Sequence, residues 1–382
     1  SDVYKRQLYL MTTKPKVISL FSGCGGMDLG FSQAGFEVVY ANDIDKSVEA
    51  TYQHNIGDIE IKDFSLVEKS GLPDADIIVA GIPCQPFSTA GKRLSTQDNR
   101  GQLFEEVMQV LVIKRPKIVI FENVRGFLSA KDENGITMPE RIRKELNIVG
   151  YNLYYQLLNA ADYEVPQNRH RVFLIGIRKD IDKGFYFPRK VALPKDCLNV
   201  DSVISKPIPN DEVIEHWGLS PQSVALLPYI PEGGSWKNVP YEQLPSRLKN
   251  IHDNMKKYRS PNFYRRFSRA EIMGTITAAS TPENSGIIHP LENRRYSVRE
   301  IARFQTFPDE FKFIGTTLNK KYKMIGNAVP VKLAYHIAKS ILSQYFTEGY
   351  FYELNDRPSL FDWVAHRRWQ SEQSEPVYQP SV

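Results

Sequence analysis

The chain has 382 residues, 42% of them hydrophobic and 12% aromatic, enough for two domains or for one large domain with an insertion. No apolar run approaches the length of a membrane span and no signal-peptide order is present. The three cysteines, Cys24, Cys84 and Cys197, fit neither a disulfide framework nor a zinc site. A cytoplasmic protein with reduced thiols and no metal is expected. Net charge is only +5, but residues 245–300 hold eleven Lys or Arg against five acids, with Tyr258, Phe263, Tyr264, Phe267 and Tyr296 interleaved. That composition suits a polyanion such as nucleic acid, or a solvated basic face.

Residues 1–10 read as a translated cloning adapter, and Met11 as the start, so the leader is expected to lie outside the fold. A short β-prone run at 16–21 leads into Ser22-Gly-Cys-Gly-Gly-Met27, where glycines permit a tight turn and close approach to a ligand ahead of an amphipathic helix. The dinucleotide fingerprint fails, because Asp28 stands where a third glycine belongs. A second strand, 37–41, ends in Asn42-Asp43, which places a carboxylate about twenty residues beyond the first glycine, where ribose hydroxyls are read. Loop and carboxylate together favour an adenosine-containing cofactor, with Asp63 and Phe64 at the end of a strand over 59–64 as adenine contacts.

Residues 77–80 form a buried parallel strand that breaks at Gly81 into Ile-Pro83-Cys84-Gln85-Pro86-Phe-Ser88. Two prolines hold one thiol at a strand's carboxyl end, as a positioned nucleophile or as a small buried hydrophobe. The polar stretch 89–101, with Lys92, Arg93 and Arg100, is suited to closing over a substrate. A helix over 103–114 precedes a strand at 117–121 and Glu122-Asn-Val, which brings a carboxyl group to the same sheet edge. Strands at 151–160 and 172–177 flank Gln167-Asn-Arg169-His-Arg171, whose two arginines share a face and could clamp a carbonyl oxygen, a phosphate or Glu122. Beyond 179 nine prolines break up the pattern as far as residue 245. Helical spacing returns at 297–305 and after Gly326-Asn327-Ala-Val-Pro330, where the chain is expected to rejoin its first domain.

These segments, in this order, resemble the DNA cytosine-5 methyltransferases of bacterial restriction-modification systems: Phe21-Ser-Gly-Cys-Gly-Gly, Pro83-Cys84-Gln-Pro-Phe-Ser, Glu122-Asn-Val, Gln167-Asn-Arg-His-Arg171, the stretch 299–311 and Gly326-Asn-Ala-Val-Pro. The resemblance runs from about residue 16 to 346. It implies an α/β, Rossmann-like S-adenosylmethionine-dependent methyltransferase fold with a mostly parallel sheet flanked by helices and a smaller target-recognition domain. The implied divisions are 11–178 catalytic, 179–293 target recognition, 294–346 returning to the catalytic domain, and 347–382 a partly disordered extension.

The resemblance further implies that Cys84 adds to cytosine C6, that Glu122 acts at N3, and that Arg169 and Arg171 orient Glu122 and hold O2. C5 would then take the methyl group of S-adenosyl-L-methionine, leaving S-adenosyl-L-homocysteine, on a base flipped out of double-stranded DNA. Phe21, Gly23, Gly25, Asp43, Asp63, Phe64, Pro83 and Asn327 are the implied cofactor contacts, and Gln85, Ser88, Arg93, Arg265 and Arg266 the implied DNA contacts. A monomer with a cognate restriction endonuclease encoded nearby is expected. Rival readings are a tRNA cytosine-5 methyltransferase of the same fold, a nucleotide-binding oxidoreductase and a catalytically dead DNA-binding regulator. Asp28 in the glycine loop opposes the second rival and intact Cys84 and Glu122 the third.

Overall fold

The structure is a computed structural model that describes residues 13–81, 99–132, 134–208, 215–216, 218–254, 263–278 and 286–347, the side chains of 99–102 and 195 excepted. Seven strands form one sheet in the order β3-β2-β1-β4-β5-β7-β6. They are β1 (Lys16–Leu20), β2 (Glu37–Asp43), β3 (Glu60–Ile61), β4 (Ile77–Ala80), β5 (Ile118–Val124), β6 (Tyr151–Asn159) and β7 (His170–Arg178). Only β7 opposes the rest, pairing antiparallel with both β5 and β6. This is the mostly parallel sheet that the sequence predicts.

Successive residues of a strand face opposite sides, and the sheet is buried on both. Val17, Ile77, Val79, Ile118 and Ile120 face α1 (Gly26–Ala34) and the long C-terminal helix (Val331–Tyr345) in one core. Ile18, Ile78, Val119 and Phe121 face the helices Asn99–Lys114 and Met138–Ile148 in a second. Burial on both faces explains why β4 reads as a continuous apolar run instead of an alternating one. With Glu49–Asn55 as α2, those two helices are α3 and α4 in chain order. The short helices Asp201–Ile204, Pro221–Leu226 and Ser246–Asp253 follow as α5, α6 and α7, then Val298–Phe304 (α8), Leu318–Asn327 (α9) and α10 (Val331–Tyr345).

Sequence patterning misses α2, α4 and α9. The expected strand at 59–64 shrinks to two residues, because the Asp63 side chain accepts from Ser65 N–H and turns the chain into a 3-10 helix, Phe64–Leu66. Gly326 and Asn327 end α9 instead of forming a loop. Helix α8 starts where Ser297 and Glu300 close a capping box.

Between β7 and α8 the chain is loop-rich, and its apolar residues divide between cores. Phe185 packs into the first sheet core, while Val200, Val203, Met273, Ile276 and Ile287 join α8 and α9 in a third. A separate cluster around the fully buried Trp236 holds Leu226, Leu227, Ile230, Leu248, Ile251, Tyr264 and Ile288. Among the described residues no helix is long and apolar enough to cross a membrane.

Helix α10 crosses α1 at Gly30, where an added Cβ would lie 2.6 Å from Ala334 Cβ and 2.6 Å from the Val331 carbonyl oxygen. Backbone on one side cannot yield, so Gly30→Ala is expected to destabilise the protein by about 1–3 kcal/mol. Urea denaturation checks this, and an unchanged midpoint would mean that the two helices separate freely.

Candidate active site

The carboxyl ends of the parallel strands converge on one register line. Leu20 of β1 pairs with both Asn42 and Ala80, and Ala80 pairs with Phe121. The next residue of each strand is therefore Phe21, Asp43, Gly81 and Glu122. All four line one cavity of about 880 Å³, together with Gly23, Asp63, Phe64 and, from the far end of the chain, Asn327. Ligands gather at such an edge in open α/β sheets.

The glycine loop is held from below and from the side. Phe21, Gly23 and Gly25 have φ of 58°, 57° and 85°. Phe21 thus carries a side chain in the left-handed region at the cavity wall. Gly23 N–H donates to Asp43 at 2.7 Å and Asp45 N–H to the other oxygen at 2.8 Å, so one carboxylate fastens the loop to the end of β2. Burial nonetheless holds Asp43 above the usual carboxylate range. Gly25 does not line the cavity; a Cβ there would strike Ile56 and Tyr52, so its glycine serves the packing of the turn.

Asp28, which spoils the dinucleotide pattern, is 1% exposed and accepts hydrogen bonds of 2.6 Å from Ser19 Oγ and from Tyr52 Oη. Burial raises its pKa to about 6 against those two bonds. Burial likewise pushes the Cys24 thiol up to about 12, so this cavity-lining cysteine is no nucleophile.

On the opposite rim Arg171 Nε lies 2.7 Å from Glu122 Oε1, with both side chains largely buried. The pair meets by charge and not along a hydrogen-bond axis, which leaves Glu122 Oε1 buried without a hydrogen-bond partner. Register explains the meeting, since Glu122 and Val124 of β5 pair with Phe173 and Arg171 of β7.

Arg169 does not join that pair. It is completely buried, and its guanidinium donates to the carbonyls of Ile276 at 2.6 Å, Gly326 at 2.8 Å and Ala328 at 3.1 Å. Burial, reinforced by Arg171, works against its charge. Of the three partners foreseen for the two arginines, carbonyl oxygens take Arg169 and Glu122 takes Arg171.

The expected DNA contacts fare differently again. Arg266 is 4% exposed, and it donates to the carbonyls of His289, Pro290, Glu292 and Leu227 and to Asn293 Oδ1. Buried inside the fold, it presents no exposed N–H to a phosphate, against its expected role. Arg265 donates to the Gly234 carbonyl and pairs with Glu271 at 2.6 Å. Pro83, Cys84, Gln85, Ser88 and Arg93 lie outside the described residues. Four cavity features escape sequence reasoning: exposed Ile44 beside Asp43, the segment 275–278, and Lys320 and Lys323 of α9. The two lysines lie 3.5 and 3.4 Å from Asp45, an acid that the sequence already places beside Asp43.

Sheet order, glycine loop and strand-end acid define an S-adenosylmethionine-dependent methyltransferase fold. Residues 15–343 match the family described as C-5 cytosine-specific DNA methylase, and the chain belongs to that family. By that membership it is a DNA (cytosine-5-)-methyltransferase. The Type II methyltransferase M.NgoFVII of Neisseria gonorrhoeae is 35% identical over 89% of each chain. M.FnuDI of Fusobacterium nucleatum is 37% identical over 85% of this chain and 94% of its own, and M.HhaI of Haemophilus parahaemolyticus is 30% identical over the same shares. Among solved structures a Spodoptera frugiperda DNMT2 mutant shares the fold with a TM-score of 0.60 and 19% identity, over 87% of this chain and 100% of that one. The S. pombe Dnmt2 methyltransferase shares it at 0.58 and 21%, over the same shares.

Two outcomes are expected from the buried charges. Native Asp28, with a pKa of about 6, binds its proton more tightly than the unfolded chain with the ordinary 3.8, so its stabilising contribution is complete only below 3.8 and is lost as pH rises through 6. The stability of wild type minus that of Asp28→Asn should fall by up to about 3 kcal/mol between pH 4 and 7; a flat difference in urea titrations would move the titration elsewhere. Arg266→Met should cost roughly 3 kcal/mol of stability by orphaning buried carbonyls, yet leave the salt dependence of DNA affinity unchanged. A slope shallower by about one counterion would return Arg266 to the DNA.

Proposed function

We propose that this chain methylates C5 of a cytosine turned out of double-stranded DNA, with Cys84 as nucleophile and S-adenosyl-L-methionine as donor. The observation that carries this reading is the largely buried Glu122–Arg171 pair, 2.7 Å apart, lining one cavity with the glycine loop and Asp43. The residues present suit that donor. Asp43 offers a carboxylate for ribose hydroxyls, Asp63 and Phe64 form a corner for the purine, and Phe21, Gly23 and Asn327 complete the wall. S-adenosylmethionine supplies an electrophilic methyl group on a sulfonium and leaves as S-adenosylhomocysteine.

The chain's own residues have four tasks. The Cys84 thiolate forms a bond to C6, and the electrons displaced from the C5–C6 double bond make C5 nucleophilic. Glu122 donates a hydrogen bond or a proton at N3, the atom toward which charge drains. Arg171, paired with Glu122, sets that carboxyl's position and presents donors for O2. Once C5 carries the methyl group, a base removes its proton and the C6–S bond breaks, releasing 5-methylcytosine and the thiolate. Gly81 follows β4 and lines the cavity with Glu122, and the segment bearing Cys84 comes next in the chain.

Cytosine C5 and C6 are shielded by stacking in a duplex, which is why the base must leave the helix. We assign target reading to residues 179–293, whose Trp236-centred cluster forms a core apart from the sheet. Arg169 acts in this scheme by position: it holds 276 and 326–328, both cavity segments, against β7. A monomer acting beside a cognate endonuclease completes the proposal.

Cys84→Ser should abolish methyl transfer to plasmid DNA while retaining DNA binding. Glu122→Gln should lower turnover by about 10²–10⁴-fold. Bisulfite sequencing of DNA from expressing cells reads product and target site together. Methylation by Cys84→Ser at the wild-type rate, or methyl groups found only on exocyclic amines, would end this reading.

A further inference from the structure

Lysine is almost never buried without partners, and Lys69 is 6% exposed. It opens the short 3-10 turn Lys69–Gly71 between β3 and β4, and nothing in the proposed reaction uses it. Its ammonium donates to the Phe64 carbonyl at 2.6 Å, lies 2.6 Å from Glu106 Oε2 and stands 4.7 Å from the centroid of the Phe64 ring. The Phe64 ring, 2% exposed, offers little face to a ligand; it meets Phe21 edge-on, with centroids 5.8 Å apart. Phe21 and Phe64 both line the cavity. Glu106 belongs to α3, the helix that follows the segment bearing Cys84. One buried cation therefore grips a corner of the cavity by its backbone and its ring, and ties that corner to α3. In a site shielded from water such charge-assisted contacts gain strength.

We propose that Lys69 is a positioning residue for the methyl donor. Acting with Glu106, it fixes Phe64 and through it Phe21, so that the wall receiving the donor's purine is set before the donor arrives. The inference rests on the reading of this cavity as the donor site. A wall already in place spares the ordering cost of binding, so Lys69 governs donor affinity while the chemistry at Glu122 proceeds without it.

The test measures S-adenosylhomocysteine binding to the full chain by calorimetry, and turnover on duplex DNA at saturating donor. Lys69→Met keeps the stem and removes the ammonium. It should raise the dissociation constant about tenfold, the weight of one charge-assisted hydrogen bond, and change saturated turnover by less than about twofold. Glu106→Gln should weaken binding about threefold, and the double variant should bind no worse than Lys69→Met, since the two side chains act as a unit. A merely structural role would lower the active fraction, and so turnover, without moving the affinity of the folded protein. Unchanged affinity in folded Lys69→Met, turnover lost with affinity intact, or additive losses would each overturn the proposal. Should Lys69→Met not fold, Glu106→Gln decides, and unchanged affinity there overturns it too. Wild-type protein that binds no S-adenosylhomocysteine would overturn the donor-site reading together with the proposal. Tight wild-type binding that Lys69→Met matches would overturn the proposal alone.

Discussion

A guanidinium sealed inside the protein holds the start of β7 to segments far downstream in the chain. Arg169 precedes β7 and reaches three carbonyls that lie more than a hundred residues downstream, at Ile276, Gly326 and Ala328. Its neighbour Gln167 donates to the Phe304 carbonyl and to Gln305 Oε1, and accepts from Ile276 N–H. Gln305 in turn donates to the carbonyls of Ile325 and Ala328. Without Arg169 the carbonyls of Ile276 and Gly326 would lose the partners they have here, and an unsatisfied buried acceptor is costly. The polar weld thus holds α9 and segment 275–278 at the cavity that the ends of β1, β2, β4 and β5 open.

Around that cavity burial separates groups that look alike on paper. Cys24 faces the cavity but lies in apolar surroundings that keep it protonated. Asp28 and Asp43 belong to the same corner, yet their bonds differ. Asp43 accepts from two backbone N–H groups and fixes the loop, while Asp28 accepts from two hydroxyls and ties β1, α1 and α2 together. Glu122 alone among these acids keeps a buried oxygen without a hydrogen-bond donor from the protein, beside the positive charge of Arg171.

The basic stretch near residue 270 shows how charge in a sequence can mislead. Arg266, Arg295 and Arg299 are at most 5% exposed. Arg299 donates to the carbonyls of Pro308 and Phe311, Arg295 covers the Tyr322 ring, and Arg294 pairs with Glu292 and Glu300. A loop-rich region makes few backbone ladders, so it leaves many carbonyls inward-facing. Arginine, with five donors in a fixed fork, satisfies several of them at once. At Arg266 and Arg299 the positive charge serves the carbonyls of irregular backbone.

The sequence by itself determined what local chemistry dictates. Apolar runs marked β1, β4 and β5, glycines marked the loop after Phe21, and a carboxylate at the end of each of two strands marked Asp43 and Glu122. Only the tertiary structure decided which polar groups face the cavity and which face the protein. The sequence shows Arg169 and Arg171 as equals two residues apart, and Asp28 as a mere departure from a glycine pattern. Their fates diverge because register places Arg171 across from Val124, near Glu122, while chain segments far away in sequence supply the carbonyls that Arg169 must satisfy. Thr275 and Lys323 enter the site for the same reason: proximity across hundreds of residues is set by packing, and no local pattern encodes it.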